Sequence, residues 1–202
     1  ALDDFDTTER NRALKFQKNL DIQSKTTVDV LKRGYAYTGK MSTEILDDIV
    51  RHAKVQSEGS KVAFKDVADE TAKLMANTET FGNMGVDTAA RLSTAYRQLG
   101  LDMQSFEKVL TPFRDFDSAA RKMGDLSAMF GVQMDAMEMM YLANEDEEEF
   151  LHRMRDQLID QGVDVENMSK TRLRALGNQL GMSQNQLQTF FREGELVKDA
   201  SE

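Results

Sequence analysis

The 202-residue chain contains no cysteine and no tryptophan, and it contains only one proline. Without cysteine it can form neither a disulfide framework nor a thiolate metal site. Proline breaks helices and is almost missing, while Ala, Leu, Met, Glu, Gln, Lys and Arg are common, so the composition indicates an all-helical protein. No apolar run approaches the roughly 20 residues of a membrane span, and we expect no stable membrane insertion by this segment.

Positive charge is also scarce. The chain has 26 basic against 35 acidic residues and a formal net charge of −9. Because neutralised phosphates supply most of the affinity of a general nucleic-acid binder, this acidic balance argues against that class. The opening residues, "ALDDFDTTER", have neither the basic region nor the apolar core of a signal peptide. We expect the chain to be a piece of a longer protein.

Apolar residues in the first third recur at helical spacing. They predict one long helix over residues 10–33, a break over residues 34–42, and a further helix that begins at Ser42 as its N-cap. A narrow stripe at 3-4-3-4-3 spacing follows and consists of Phe64, Val67, Thr71, Leu74, Thr78 and Phe81. Such a stripe is typical of helix pairing. Its partner is either the helix over residues 10–33 of the same chain or another copy of the chain.

A short pattern recurs from residue 84 onward: an apolar residue, a glycine, an apolar residue and a polar residue. Its glycines are Gly85, Gly100, Gly131 and Gly181, with a looser fifth copy at Gly162. We predict that each glycine ends a helix in the left-handed conformation. The polar residues that would cap the following helices are Asp87, Asp102, Gln133 and Ser183. Ser183 and Gln186 also form a capping-box pattern.

These patterns together predict an all-α fold in three regions. Residues 1–83 form longer helices in a hairpin or coiled-coil-like arrangement. Residues 84–193 form a compact multi-helix domain, an array of short helices joined by glycine corners, and residues 194–202 form a polar tail.

The stretch "LGNQLGMSQNQLQTFF", residues 176–191, has the outline of a helix-turn-helix DNA reader. It is, however, one of five similar corners. Basic residues Lys170, Arg172 and Arg174 precede the corner, whereas the second helix offers mainly side-chain amides. We interpret the corner as structural and keep a helix-turn-helix-containing, DNA-associated regulatory protein as the alternative.

The sequence offers few groups that carry chemistry. The two histidines, His52 and His152, lack a second histidine four residues away. The acidic run "NEDEEEF", residues 144–150, lacks the turn glycine of a calcium loop and is predicted to start a helix capped by Asn144. No nucleophile elbow, phosphate loop or dinucleotide fingerprint is present. We therefore predict no catalytic residue, no metal, no cofactor and no enzymatic activity.

Two further segments predict buried helix faces. "MDAMEMMYLA", Met134 to Ala143, holds four of the thirteen methionines, which suit either core filling, the preferred interpretation, or an adaptable partner surface. In "LTPFRDF", Thr111 as N-cap and Pro112 at the first helical position predict a helix start. The apolar stripe of that helix would comprise Phe113, Phe116, Ala120, Met123, Ser127 and Phe130.

Three segments carry a resemblance to a known family: "SAARKMGDLSAMFG", "MEMMYLANED" and "ALGNQLGMS". With their surroundings, about residues 60–193, they resemble tail tape measure proteins of contractile-tailed bacteriophages. The resemblance implies a virion structural protein in the lumen of the tail tube, assembled in the host cytoplasm, that sets tube length and is released as DNA leaves. It implies other copies of the chain and tail tube or baseplate hub proteins as partners, and no sequence-specific nucleic acid. Tape measures are usually much longer than this chain.

Overall fold

The computed structural model describes residues 6–38, 43–82 and 84–192, and all regular structure in these ranges is helical. The all-α prediction is thus confirmed for this part of the chain. The chain forms two compact units, Ala1–Arg97 and Gln98–Glu202.

The first unit is built around α4. Its helices are α1 (Thr7–Leu20), α2 (Ser24–Thr38), α3 (Glu44–Gly59), α4 (Phe64–Ala76), α5 (Thr78–Phe81) and α6 (Val86–Gln98). α4 packs against both α2 and α3. Its buried row of Val67, Thr71 and Leu74 is fully covered, whereas Thr78 is exposed. The predicted stripe of α4 therefore packs against helices of its own unit, α2 and α3.

The predicted helix over residues 10–33 is two helices. α1 ends at Asp21, which has a left-handed φ of 57°, and the N–H of Ile22 donates back to the carbonyl of Gln17 at 3.1 Å. Ile22 is also buried, so the apolar spacing continues across the turn between α1 and α2. Spacing alone therefore does not show that a helix ends at Leu20. α2 then passes through Gly34, where a break was predicted, and Ser42 lies outside the described residues.

α6 belongs with α4 rather than with the helices that follow it. The hydroxyls of Thr71 and Ser93, both buried, are 3.0 Å apart. The first unit therefore extends to Arg97 instead of ending at the predicted boundary of residue 83.

The second unit contains six helices among the residues described. They are α7 (Met103–Leu110), α8 (Phe116–Phe130), α9 (Ala136–Glu145), α10 (Glu147–Asp160), α11 (Lys170–Leu180) and α12 (Gln184–Arg192), with a 3-10 turn at Thr111–Phe113. α8 packs against α9 and α11, while α12 packs against α10 and α11. Helix length does not separate the two units, because α8 has 15 residues and α1 has 14.

Among the described residues, four glycines have a left-handed backbone: Gly100, Gly131, Gly162 and Gly181. After two of them the predicted caps are present. Asp102 accepts the N–H of Ser105 at 2.8 Å at the start of α7. The reciprocal bonds of Ser183 and Gln186, at 3.2 and 2.8 Å, form the predicted capping box of α12.

Gly85 departs from the pattern, since it is not among the residues with positive φ. Its carbonyl accepts the N–H of Ala89 at 2.9 Å, so Gly85 begins a helix rather than ending one. Asp87 consequently lies in the first turn of α6 and is not the predicted cap.

The predicted start of α8 is also wrong. Thr111 and Pro112 lie in the 3-10 turn, and Asp115 caps α8 by accepting the N–H of Ser118 at 2.9 Å. The buried side chains of α8 are Ala119, Met123 and Leu126. The predicted stripe members Phe116 and Ser127 are exposed.

Candidate interaction surface

The methionine-rich helix α9 has a buried side and an exposed apolar side. Met139, Leu142 and Ala143 are buried. Met137 is 57% exposed and Tyr141 is 63% exposed, with Met140 half-buried between them. Residues three and four apart lie on one side of a helix, so Met137, Met140 and Tyr141 form one row, the α9 face. The preferred interpretation of the methionines as core holds for Met139 but not for Met137.

The start of α9 is held by two independent side chains. Asp135 Oδ1 accepts the N–H groups of Met137 at 2.8 Å and of Glu138 at 3.0 Å. Gln161, at the end of α10, accepts the N–H of Gln133 at 2.6 Å and donates to its carbonyl at 2.8 Å. The cap of α9 is thus Asp135, not the predicted Gln133, because a carboxylate accepts both N–H groups.

The far end of α9 is anchored as well. The Asn144 amide donates to the carbonyls of Arg114 at 3.1 Å and Met140 at 2.8 Å. Asn144 lies in the last turn of α9, and Asp146 caps α10 by accepting the N–H of Glu149 at 3.0 Å. The predicted cap at Asn144 is therefore wrong by two residues. With both ends fixed, the α9 face is a preorganised surface.

Carboxylates border this face. Glu138 and Glu145, seven residues apart, lie along one edge of the row. Arg153 bridges Glu138 and Glu149, each at 3.3 Å, and so ties α9 to α10. Burial raises the pKa of Glu147, against the opposing effect of Arg114 at 3.4 Å. The segment of residues 134–149 contains seven carboxylates and no Lys or Arg.

Exposed apolar side chains of the first unit are more dispersed. Leu14 on α1, Tyr35 on α2 and Val55 on α3 are 46%, 50% and 61% exposed. Each lies on a different helix, and scattered apolar residues are normal on a protein surface. The row on α9 is distinguished by its spacing along a single helix.

The first unit also contains a cluster of buried polar side chains. In the first unit, Tyr96 donates to Glu70 Oε2 at 2.9 Å, and Lys73 donates to Glu70 Oε1 at 2.9 Å. Burial, followed by the charge of Glu70, raises the pKa of Tyr96 well above its ordinary value. Lys73 also pairs with Asp69 at 2.6 Å. These contacts satisfy one another and hold α4 to α6.

Arg33 is the most deeply buried basic residue among those described, at 3% exposure. Its guanidinium donates to the carbonyls of Met75 at 3.1 Å and of Phe81 and Gly82 at 3.0 Å, and also to the carbonyl of Met84. These carbonyls lie at and beyond the ends of α4 and α5, where helices lack internal donors. Arg33 is thus a tie between α2 and the segment of residues 75–84.

Two basic residues act similarly in the second unit. Arg155 on α10 is 9% exposed and donates to the carbonyl of Phe190 in α12 at 2.9 Å. Lys122 on α8 donates to the carbonyl of Gln179 near the end of α11 at 2.8 Å. Sequence reasoning missed all three basic ties. The sequence feature that could have identified them is a basic residue close to the buried apolar positions of an amphipathic helix. Arg33, which follows Val30 and Leu31, is an example.

The two histidines lie in different units. His52 lies on α3 and His152 on α10, both half-buried. Among the described residues, no group of three or more His, Asp or Glu side chains could hold a metal ion. No described helix has the length and apolar character needed to cross a bilayer.

The segment of residues 176–191 does form two helices joined at a left-handed glycine, Gly181. α12 is engaged with the start of α7, because Gln186 donates to Ser105 Oγ at 2.8 Å. At the same place a Cβ on Gly100 would meet Thr189 Cγ2 at 2.8 Å. Arg172, one of the basic residues before the corner, lies 5.7 Å over the ring of Phe130.

Comparisons with protein-family models, with curated proteins and with solved structures give no match. The features that bear on function are therefore the sequence resemblance and the surfaces of the two units. Of these, the α9 face combines exposed apolar side chains, fixed geometry and neighbouring charge.

Proposed function

We propose that this chain is a segment of a virion structural protein of the tail tape measure type, from a contractile-tailed bacteriophage. In this proposal it lies in the lumen of the tail tube, helps to set tube length and is released as DNA leaves. Its role is structural and not enzymatic, and it reaches the virion tail after assembly in the host cytoplasm. Its partners are other copies of the chain and tail tube or baseplate hub proteins.

One observation carries the proposal: the three segments that resemble the family lie on adjoining helices of one unit. "SAARKMGDLSAMFG" covers most of α8 and the glycine that follows it, "MEMMYLANED" covers most of α9, and "ALGNQLGMS" joins α11 to α12. α8 packs against both α9 and α11, and α11 packs against α12. Segments scattered over unrelated surfaces would favour a chance likeness of helical composition.

We further propose that the repeated glycine corner is the building element of the second half of the chain. Left-handed glycines at positions 100, 131, 162 and 181 support it, since each lies where a helix has just ended. The helices of residues 1–83 would form the other part of the same segment, as a helical hairpin in which α4 pairs with α2 or α3.

Association of several copies is part of the proposal, although its location differs from the first expectation. The row of Val67, Thr71 and Leu74 is buried within the first unit and is not accessible to another copy. Among the described residues of that unit, the exposed apolar side chains Leu14, Tyr35 and Val55 are accessible to a second copy.

The DNA-associated alternative has less support. A reading helix must present its side chains to base edges. On α12, Gln186 is bonded to Ser105, and Thr189 is close to the backbone of Gly100. Gln184, Asn185 and Gln188 remain exposed, but the helix has only one basic residue, Arg192.

Purified tails provide the test. Peptides of this chain should be found by mass spectrometry in tail tubes isolated from virions, in several copies per tube. An in-frame deletion of residues 98–192 from the full reading frame should shorten the tube seen by electron microscopy. Absence of the chain from purified tails would rule out the proposed location. Tubes of unchanged length would rule out the length-setting role.

A further inference from the structure

We propose that the α9 face docks an amphipathic helix of a partner protein, with apolar residues on one side and Lys or Arg along its edge. The inference deepens the proposed function, and it rests on that function's claim that the chain is a protein-binding structural segment. The α9 face was defined above as Met137, Met140 and Tyr141.

The exposed apolar side chains of α9 have the spacing and the chemical type of a helix-packing surface. Positions 137, 140 and 141 follow the i, i+3, i+4 spacing by which one helix packs against another. Met137 and Tyr141 are each more than half exposed, although the opposite side of α9 is buried. Methionine adapts its shape to a partner, and tyrosine buries much apolar area at low entropic cost. The face therefore suits a helical, apolar occupant.

The charges beside the α9 face favour a basic occupant. Residues 134–149 contain seven carboxylates and no Lys or Arg, and within this group Arg114 pairs with Glu147 while Arg153 pairs with Glu138 and Glu149. Glu138 and Glu145 line the edge of the row, where flanking residues of a packed helix pair across the interface. A basic partner helix complements this edge, and complementary charge speeds docking and selects the partner.

The same charges argue against a second copy of the chain as the occupant. Two α9 faces packed together would place their glutamate edges in one interface, and like charges in contact oppose association. The chain as a whole also has a net charge of −9. The favoured occupant is consequently a different, basic protein segment.

The fixed ends of α9 support a docking role over a merely mobile surface. Asp135 and the Gln161–Gln133 pair hold its start, and the Asn144–Arg114 bond holds its end. A surface that is already in its bound shape pays little conformational entropy when it binds.

Fluorescence anisotropy with the 202-residue chain tests this inference. The probe is a labelled synthetic amphipathic helix with Leu on one face and Lys along both edges. A second peptide in which every Lys is replaced by Glu serves as the comparison. We expect the Lys peptide to bind and the Glu peptide not to bind. Equal binding of the two peptides would overturn the inference.

Variants locate the site. The double substitution Met137→Ser and Tyr141→Ser should weaken binding of the Lys peptide about tenfold or more, because interface anchors typically dominate affinity. Met129→Ser, on α8 and 45% exposed, is the matched control and should leave binding unchanged. Circular dichroism and thermal melting establish that both variants remain folded. Undiminished binding by the double variant would overturn the inference.

Charge and self-association are tested separately. Glu145→Gln should weaken binding and reduce its dependence on salt, whereas Glu79→Gln, an exposed acid of the first unit, should do neither. If the double variant instead changes sedimentation of the chain alone, the face pairs two copies and the basic-partner inference is wrong. These outcomes do not depend on whether the chain is found in tails, so failure of one proposal is distinguishable from failure of the other.

Discussion

The hydroxyl of Tyr96 donates a 2.9 Å hydrogen bond to the carboxylate of Glu70, and both side chains are buried where α6 meets α4. Lys73 donates to the other carboxylate oxygen of Glu70 at 2.9 Å. A buried carboxylate is tolerated only when it is paired and hydrogen-bonded. This contact therefore contributes to the stability of the first unit, and the titration of Tyr96 provides a way to measure that contribution.

Tyr96→Phe should reduce the sensitivity of the chain to alkali. Burial raises the pKa of Tyr96 well above its ordinary value of 10.0, so the folded state favours the protonated hydroxyl. That stabilisation is complete below the unfolded pKa and is lost as the pH rises toward the folded pKa. Urea denaturation of wild type should give a free energy of unfolding that falls above a pH of about 10, and the variant should show a smaller fall.

Near neutral pH, Tyr96→Phe should cost about 1.5–3 kcal/mol through loss of the hydrogen bond to a buried carboxylate. Tyr35→Phe, at a tyrosine that is 50% exposed, is the control. Identical pH dependence in wild type and Tyr96→Phe would contradict the assignment.

Arg33→Met should destabilise the first unit by about 3 kcal/mol. The change preserves much of the aliphatic stem but leaves buried backbone carbonyls without their donor, and each unsatisfied buried group costs about 1–3 kcal/mol. Lys32→Met, at a neighbouring side chain that is 71% exposed, should change stability little. Chemical denaturation followed by circular dichroism measures both. Equal stabilities for the two variants would show that the carbonyls are satisfied without Arg33.

Gly100→Ala should destabilise the second unit more than Gly131→Ala. Both glycines have left-handed backbone, with φ of 74° and 75°, so both variants incur the cost of about 1 kcal/mol or more for a Cβ in that region. Only at Gly100 would the new Cβ meet a neighbour, Thr189 Cγ2 at 2.8 Å. Thermal unfolding of the two variants measures both losses of stability. The difference between them gives the cost of the contact with Thr189 beyond the cost of the left-handed backbone. An equal loss at both sites would mean that α12 readily moves away from Gly100.

These glycines show what sequence patterns can determine. Positive φ is a property of one residue and its immediate neighbours, so an apolar–Gly–apolar pattern finds Gly100, Gly131 and Gly181. At Gly85 the same letters precede a helix instead of following one, because α5 ends several residues earlier at Phe81. Local patterns therefore depend on helix boundaries, which are the least certain feature of a sequence-based prediction.

Burial follows the same logic. Val67, Thr71 and Leu74 were predicted from spacing and are buried. Phe116 was assigned inward and is 46% exposed, because the buried side of α8 carries Ala119, Met123 and Leu126. The partners of Arg33 lie 42 to 51 residues along the chain, beyond the reach of any periodicity. The α9 face was anticipated only as one of two uses of methionine, because exposure depends on which helices cover a surface.

Duplex DNA should not bind α11 and α12 with sequence specificity. Gln186 of the second helix is occupied by Ser105, and the whole chain is acidic. Fluorescence polarisation at a physiological salt concentration of about 150 mM, with a pool of duplex sequences and the 202-residue chain, measures this. Sub-micromolar, sequence-dependent affinity would restore the DNA-associated alternative, since specific readers typically bind far more tightly than that.

Self-association should involve the exposed apolar side chains of the first unit and not its buried row. Sedimentation of wild type should reveal oligomers, and Val55→Asp combined with Tyr35→Asp should weaken them while the chain stays folded. Leu74→Asp should instead unfold the first unit, because it places a charge at a fully buried position. A wild-type chain that is monomeric at all accessible concentrations would remove the oligomer from the proposed function and leave the fold unaffected.

The guanidinium of Arg33 also constrains how the first unit can reach its native state. Its acceptor carbonyls, at residues 75–84, become available only when a loop of more than 40 residues has closed. Non-local closure of this kind makes folding cooperative rather than helix by helix. A fragment that stops at residue 83 would lack the Met84 carbonyl as well as Ser93 and Tyr96, the partners of Thr71 and Glu70. A fragment meant to contain the complete first unit must therefore include α6, and it should be cut after that helix and not before it.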